Sequence, residues 1–457
     1  MTIAEELASF VVRVSYDDMS YEARHQMKIR ILDSLGCAIA AVEGEPIRYI
    51  RQQIEDFGGR EHSTLIGGGR TSPDRAAFYN SALTRYLDFN DFYLAEGESC
   101  HPSDNLGAVL AALEYAGGDG ADLMTALAVS YQVQARISDE APVRHKGFDH
   151  TTQGAYAVAA GVAKALGLDA NRTANAVALA GTPFNALRVT RTGALSHWKG
   201  LAYPSTAFTC THAAFLAMRG VTGPPEVFEG NKGFMDSIAG PFEIDWSKED
   251  LERVVRTAVK KYNAEGHSQQ SIEGVLELQA EHGFTGADVE RIEIDTFAVA
   301  YNIIGGGEEG DKTVVESKEQ ADHSLHYMVA VAILDGQVMP EQYEDERIKA
   351  DDVQALLRKL VARPIDDYSA RFPDEMVNQI RVYLRDGRVL TRDKTDYEGF
   401  HSNPMRWETV EAKFDGLCEP YTDAALRGEI VDAVRGLESV RVEDFAGLLA
   451  RVNIPRG

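Results

Sequence analysis

Ala121-Asp122-Leu123-Met124-Thr125-Ala126-Leu127-Ala128-Val129-Ser130-Tyr131 is apolar nearly all the way round a helical projection. A helix of that kind has protein on every side, because a surface helix keeps one polar face. Ala155 to Leu166, closed by Gly167, repeats the pattern, and Thr173 to Gly181 adds a shorter apolar run. Small side chains dominate these stretches and let helix axes approach closely, which predicts a compact multi-helix domain. Helical spacing runs from about residue 4 to about 240 and returns between Thr409 and Val452.

Between those regions the pattern changes. Ser247-Lys248-Glu249-Asp250 reads as a capping box ahead of a helix over Leu251 to Lys260. Val289 to Ile294 then alternates with a period of two, and Gln379 to Leu384, Asp386-Gly387 and Arg388-Val389-Leu390 spell a hairpin. Amphipathic segments lie at 268–282, 321–335 and 350–362. The expected fold is mostly α, with a large all-helical domain formed by 1–255 and 400–457 and a smaller α+β domain, 256–399, inserted between them.

At 457 residues, with 44% apolar and 26% charged side chains, the chain has the composition of an ordinary globular protein. Its formal charge of -25, from 46 Lys+Arg and 71 Asp+Glu, argues against nucleic acid as a partner, because a basic field drives that association. An anionic substrate must then meet a local cationic pocket. The start, Met1 to Leu7, has no basic, apolar leader, and no run of about 18 apolar residues follows, so the expected location is cytoplasmic, away from membranes. Cys37, Cys100, Cys210 and Cys418 lie far apart with no CxxC pair, which predicts buried, reduced thiols and no iron–sulfur cluster.

Four polar clusters stand out. Asp88-Phe89-Asn90-Asp91 with His101-Pro102-Ser103-Asp104-Asn105 offers carboxylates, an imidazole, a hydroxyl and amides together, although Ser103 or Asp104 would equally serve to cap a helix near Leu106. Arg188 to Lys199 carries the cations Arg191 and Lys199, with Trp198 expected to wall off water. Lys260-Lys261-Tyr262-Asn263-Ala264-Glu265-Gly266-His267-Ser268-Gln269 falls at the expected domain junction, its lysines suited to a helix C-terminus. In Asp322-His323-Ser324-Leu325-His326-Tyr327, His323 and Tyr327 are spaced to share one helix face. His323 and His326 lack a third ligand at zinc-like spacing, so no metal is expected. The glycine runs 67–69 and 305–307 lack the Lys-Ser/Thr of a phosphate loop.

Taken in order with Ile31 to Ala38, Gly147-Phe148-Asp149-His150 and Ser196-His197-Trp198-Lys199-Gly200, these clusters resemble the MmgE/PrpD family over nearly the whole chain. That family includes 2-methylcitrate dehydratases, cis-aconitate decarboxylases and an iminodisuccinate epimerase. The resemblance implies a homodimer, a helical domain with an α+β lid, and catalysis without metal or organic cofactor. By position it implies catalytic roles for Asp88, His101, His150, Lys199, Lys260 and Tyr327. Substrate contacts are expected from Asp91, Ser103, Asn105, Arg191, Glu265, His267, Gln269 and His323. Asp104-Asn105 and Glu265 stand where the decarboxylase branch typically has Gly and His, so the dehydratase branch is the nearer one.

Dehydrating a 2-hydroxy tricarboxylate requires cations for the carboxylates, a base for a proton next to a carboxylate, and an acid for the departing hydroxyl. Arg191, Lys199 and Lys260 would supply charge; Asp88, His101, His150 and Tyr327 would move protons. The residues alone leave open which is base and which is acid. The expected activity is dehydration of 2-methylcitrate, with citrate as a further substrate, to the aconitate-type alkene. Decarboxylation, epimerisation and noncatalytic tricarboxylate binding are its rivals.

Overall fold

The computed structural model describes residues 1–192 and 195–454. The fold is mostly α with a smaller α+β part. Two compact units divide the chain: the first comprises Met1–Arg191, His197–Val259 and Met405–Gly457, the second Thr192–Ser196 and Lys260–Pro404. Among the described residues no helix is long and apolar enough to cross a membrane.

In the first unit, the stretch around Ala121 belongs to the helix Gly120–Glu140, which is buried along most of its length. It packs on Thr151–Ala165, and Pro73–Tyr86 packs on both Leu106–Ala116 and Trp198–Met218. Close approach is what the small residues are for. A Cβ on Gly161 would lie 1.9 Å from the Ser130 hydroxyl oxygen, so nothing larger than glycine fits where those two helices cross. The chain's last three helices, Trp407–Cys418, Ala424–Arg435 and Val442–Leu449, return to this unit, the first of them against Tyr21–Ala40.

The second unit is built on a four-stranded sheet in the order Leu360–Pro364, Val289–Thr296, Asn378–Leu384, Val389–Lys394. The first pair is parallel and the others antiparallel. Strict alternation along Asn378–Leu384 turns Ile380, Val382 and Leu384 into a core shared with the helices Gln269–His282 and Leu325–Asp335. At Gly274 a Cβ would meet Ile380 Cδ1 at 2.4 Å, so helix and sheet are in direct backbone-to-side-chain contact there.

One expected helix is replaced, and one amphipathic segment is divided. Over Leu251 to Lys260 only Arg253–Arg256 forms, as one 3-10 turn. The capping glutamate Glu249 is bound instead by Arg136 and Gln132, and Phe92 and Ala258 exchange backbone hydrogen bonds of 2.9 and 2.8 Å, which requires extended chain. The 350–362 segment is helical only over Asp351–Leu357, after which Leu360–Pro364 joins the sheet. In both places long-range pairing outweighs local helical spacing.

Candidate active site

The helix Pro73–Tyr86 ends in a turn whose residue Asp88 has φ +54°, a left-handed conformation that Asp tolerates better than most side chains. Buried Arg85, from the last turn of that helix, donates to Asp88 Oδ1 at 2.7 Å and reaches His101 Nε2 at 3.3 Å and Asp104 Oδ2 at 3.6 Å. Lys199 Nζ lies 3.5 Å from the other Asp88 oxygen. Lys199 is the second residue of the helix Trp198–Met218, where the backbone N–H groups already favour negative charge nearby.

His101 Nδ1 is 2.8 Å from the Asp91 carbonyl oxygen. A carbonyl only accepts and a guanidinium only donates, so these partners assign the Nδ1–H tautomer with the Nε2 lone pair toward Arg85. His150, its ring 5.5 Å from that of His101, holds the same tautomer: Arg191 Nη2 donates to its Nε2 at 2.9 Å. Its Nδ1 is buried with no hydrogen-bond partner. Burial, joined by the cations Arg191, Arg85 and Arg188 against the opposing pull of Asp149, lowers its pKa to about 3. Both imidazoles thus carry the proton on Nδ1, but that of His101 is spent on the Asp91 carbonyl and that of His150 meets no protein acceptor.

Asp149 is fully buried and anchors the cations. Arg191 binds it through Nε at 2.6 Å and Nη2 at 3.4 Å, and Arg188 stands at 3.6 Å. Burial alone would raise its pKa, but Arg191, His150 and Arg188 hold the carboxyl well below the ordinary range. Arg191 also donates to the Lys199 carbonyl at 3.3 Å, tying the segment 188–191 to the helix that carries Lys199. Asp104 goes the other way, with burial pushing it up to about 7 against Arg85 and Arg191.

Three residues expected to touch substrate are committed inside the first unit. Asp91, 0% exposed, accepts from the Ser103 amide at 3.1 Å and the Tyr131 hydroxyl at 2.7 Å. Ser103 accepts from Asn90 at 2.8 Å instead of capping a helix. Asn105 binds the Pro102 carbonyl, Gln134 and the Tyr203 hydroxyl. They shape the loop that carries His101. Trp198, expected to exclude water, is instead 48% exposed at the first position of its helix. Gly193 and Ala194 of the same stretch lie outside the described residues.

The second unit carries its own polar set. Lys260 is 1% exposed, in irregular chain and not at a helix end, whereas Lys261 pairs with Glu273 at 2.9 Å and Glu398 at 3.2 Å. Glu265 binds His267 twice, at its amide and at Nδ1, both at 2.7 Å. Burial opposes its charge, but His267, His323 and Lys260 bring its pKa down to about 2. His267 Nε2 is buried and unpartnered. Gln269 spends its amide on the backbone of Lys261, Tyr262 and Ala264. His323 does not share a helix face with Tyr327, since the helix starts at Leu325 with Ser324 as its cap; His323 pairs with Asp322 at 2.6 Å. Tyr327 is fully buried against Tyr343 and donates to the Gln342 carbonyl, so its phenol serves the core of this unit.

Arg85 and Asp149 were absent from the expected site. The signal for Arg85 was its place three residues before Asp88, at the buried end of its helix; for Asp149 it was adjacency to His150. Each acts by pairing with charges far away in sequence, which spacing does not reveal.

One pH effect follows. His150 has a folded pKa of about 3, below an unfolded value of about 6.5, so between those values the unfolded chain binds a proton that the fold does not. Stability therefore falls as pH drops through that window. A His150→Gln variant is expected to lose about one proton's worth of that slope, read by denaturant unfolding from pH 4 to 7; an unchanged slope would mean that His150 titrates normally.

Residues 5–247 match the MmgE/PrpD N-terminal domain and residues 262–438 the MmgE/PrpD C-terminal domain. The chain is 29% identical to a 2-methylcitrate dehydratase of Salmonella typhi, covering 84% of this chain and 82% of that protein. It is 28% identical to an alkylcitrate dehydratase from a fungal species, with 94% and 90% covered. A 2-methylcitrate dehydratase of Cupriavidus necator is 28% identical, with 96% and 97% covered.

Proposed function

This chain belongs to the MmgE/PrpD family and is a carbon–oxygen hydro-lyase, and from that premise we propose that its substrate is 2-methylcitrate or a close 2-hydroxy tricarboxylate. The observation that carries this reading is the convergence, within the first unit, of Asp88, His101, His150 and Lys199 from four separate stretches, with Arg85 and Arg191 among them. A cluster so rich in cations suits a polyanionic substrate in a protein of net charge -25.

His101 is the base in this proposal. Its Nε2 lone pair is set by the Asp91 carbonyl behind it, and it takes the proton from the carbon next to a substrate carboxylate. Lys199, beside Asp88, meets a carboxylate and stabilises the enediolate-like charge, and the neutral His150 offers its Nδ1–H to a developing oxyanion. The proton on His101 then leaves with the departing hydroxide. The products are an alkene and water, and the imidazole is neutral again.

The test is a substrate panel followed by ultraviolet absorbance in buffer containing a strong chelator. Dehydration of 2-methylcitrate creates a conjugated alkene, so absorbance is expected to rise with chelator present. Absorbance falling on cis-aconitate with release of carbon dioxide would replace dehydration by decarboxylation. Binding without turnover would leave a tricarboxylate-binding protein. Activity lost to chelator and restored by iron or zinc would overturn the metal-free mechanism.

A further inference from the structure

Lys413, on the helix Trp407–Cys418, is 8% exposed, a rare place for an ammonium group unless several partners share its charge. Its Nζ lies 2.6 Å from Asp33 Oδ1 on the helix Tyr21–Ala40, donates to the Phe89 carbonyl at 2.9 Å and sits 3.5 Å from the centre of the Phe89 ring. The ion pair with Asp33 would balance the charge by itself. The carbonyl and ring contacts do something further: they fasten residue 89, which directly follows the left-handed Asp88. Asn90 is held by Ser103 and Asp104, and Asp91 by Ser103 and Tyr131. The Asp91 carbonyl in turn sets His101. The turn that presents Asp88 and orients His101 is therefore secured at residues 89, 90 and 91, the first of them from the far end of the chain.

We propose that Lys413 is a positioning residue for the reaction, holding the Phe89 carbonyl so that Asp88 and His101 keep their reactive geometry. The proposal rests on the first-unit cluster being the dehydration site. It gives the returning C-terminal segment a functional task beyond packing. A displacement of about 1 Å at a reacting group costs up to about 10²-fold in rate. Because Lys413 does not touch substrate, the loss should fall on kcat and not on KM.

Three variants separate positioning from folding. Lys413→Met is expected to lower kcat by about 10- to 100-fold with KM changed by less than about threefold. It also leaves the Asp33 carboxylate buried without its partner, and that alone destabilises. Asp33→Asn keeps the carbonyl contact and should keep kcat within about twofold of native. Asp33→Asn/Lys413→Met removes both charges, so thermal stability should recover relative to Lys413→Met while kcat stays low. Hydrogen–deuterium exchange read by mass spectrometry should show the peptide spanning 87–92 exchanging faster in the double variant, with distant helices unchanged. Native kcat in the stable double variant, or unchanged exchange at 87–92, would overturn the proposal. If the wild type turned over no tricarboxylate, the functional reading would fail, and the exchange comparison would still decide whether Lys413 holds the turn.

Discussion

His101→Ala is expected to lower kcat on 2-methylcitrate by a factor of about 10² to 10⁴ with little change in ligand affinity, the range for loss of a proton-transfer group. The reason lies in how the ring is held. The Asp91 carbonyl takes Nδ1–H at 2.8 Å, so the other nitrogen presents a lone pair in the neutral state, and Arg85 at 3.3 Å fixes its direction. His150 is a poor substitute, because burial and the cations Arg191, Arg85 and Arg188 lower its pKa to about 3, with Arg191 donating to its Nε2 at 2.9 Å. Steady-state kinetics with calorimetric binding and circular dichroism on the same preparation checks this. Near-native turnover in a folded His101→Ala protein would remove His101 from the chemistry. Lys199→Met offers the contrast: it should weaken substrate binding as well as turnover, since its charge meets a carboxylate in the ground state.

Asp149→Ala should destabilise the protein by about 3 to 5 kcal/mol, the cost of leaving a buried cation without its partner. Asp149 is 0% exposed and holds Arg191 in a two-point contact with Arg188 nearby. Its loss would also free Arg191 from the Lys199 carbonyl and from His150, so activity should fall even under conditions where the variant remains folded. Asp149→Asn keeps the shape, lacks the charge, and should fall between native and alanine. Denaturant unfolding of the three proteins measures the order, and equal midpoints would mean that the arginines find other partners.

Much of the site could be read from the chain because its residues come in short dense clusters. Asp88, His101 and Lys199 lie in such clusters, His150 came with the family motif Gly147 to His150, and the first unit does bring them together. Tyr327 and His323 show where such reading fails. Their spacing promised a shared helix face, but Ser324 caps the helix by accepting from the Tyr327 amide, and that puts His323 outside it. Gln269, Asp91 and Asn105 are polar residues in polar clusters, and the fold uses their hydrogen-bonding groups on its own loops.

From the amino-acid order alone came the mostly α fold, the inserted α+β region, the hairpin and the family, because hydrophobic period and motif order are properties of the chain itself. The replacement of the helix expected over Leu251 to Lys260 came from elsewhere: Gln132, Arg136 and Phe92 compete for its capping and backbone groups. Arg85 and Asp149 likewise acquire meaning only when folding sets opposite charges beside them. So does Lys413, whose contact with Phe89 spans 324 residues. Local patterns specify elements; which buried charge meets which partner depends on distances that exist only once those elements have packed.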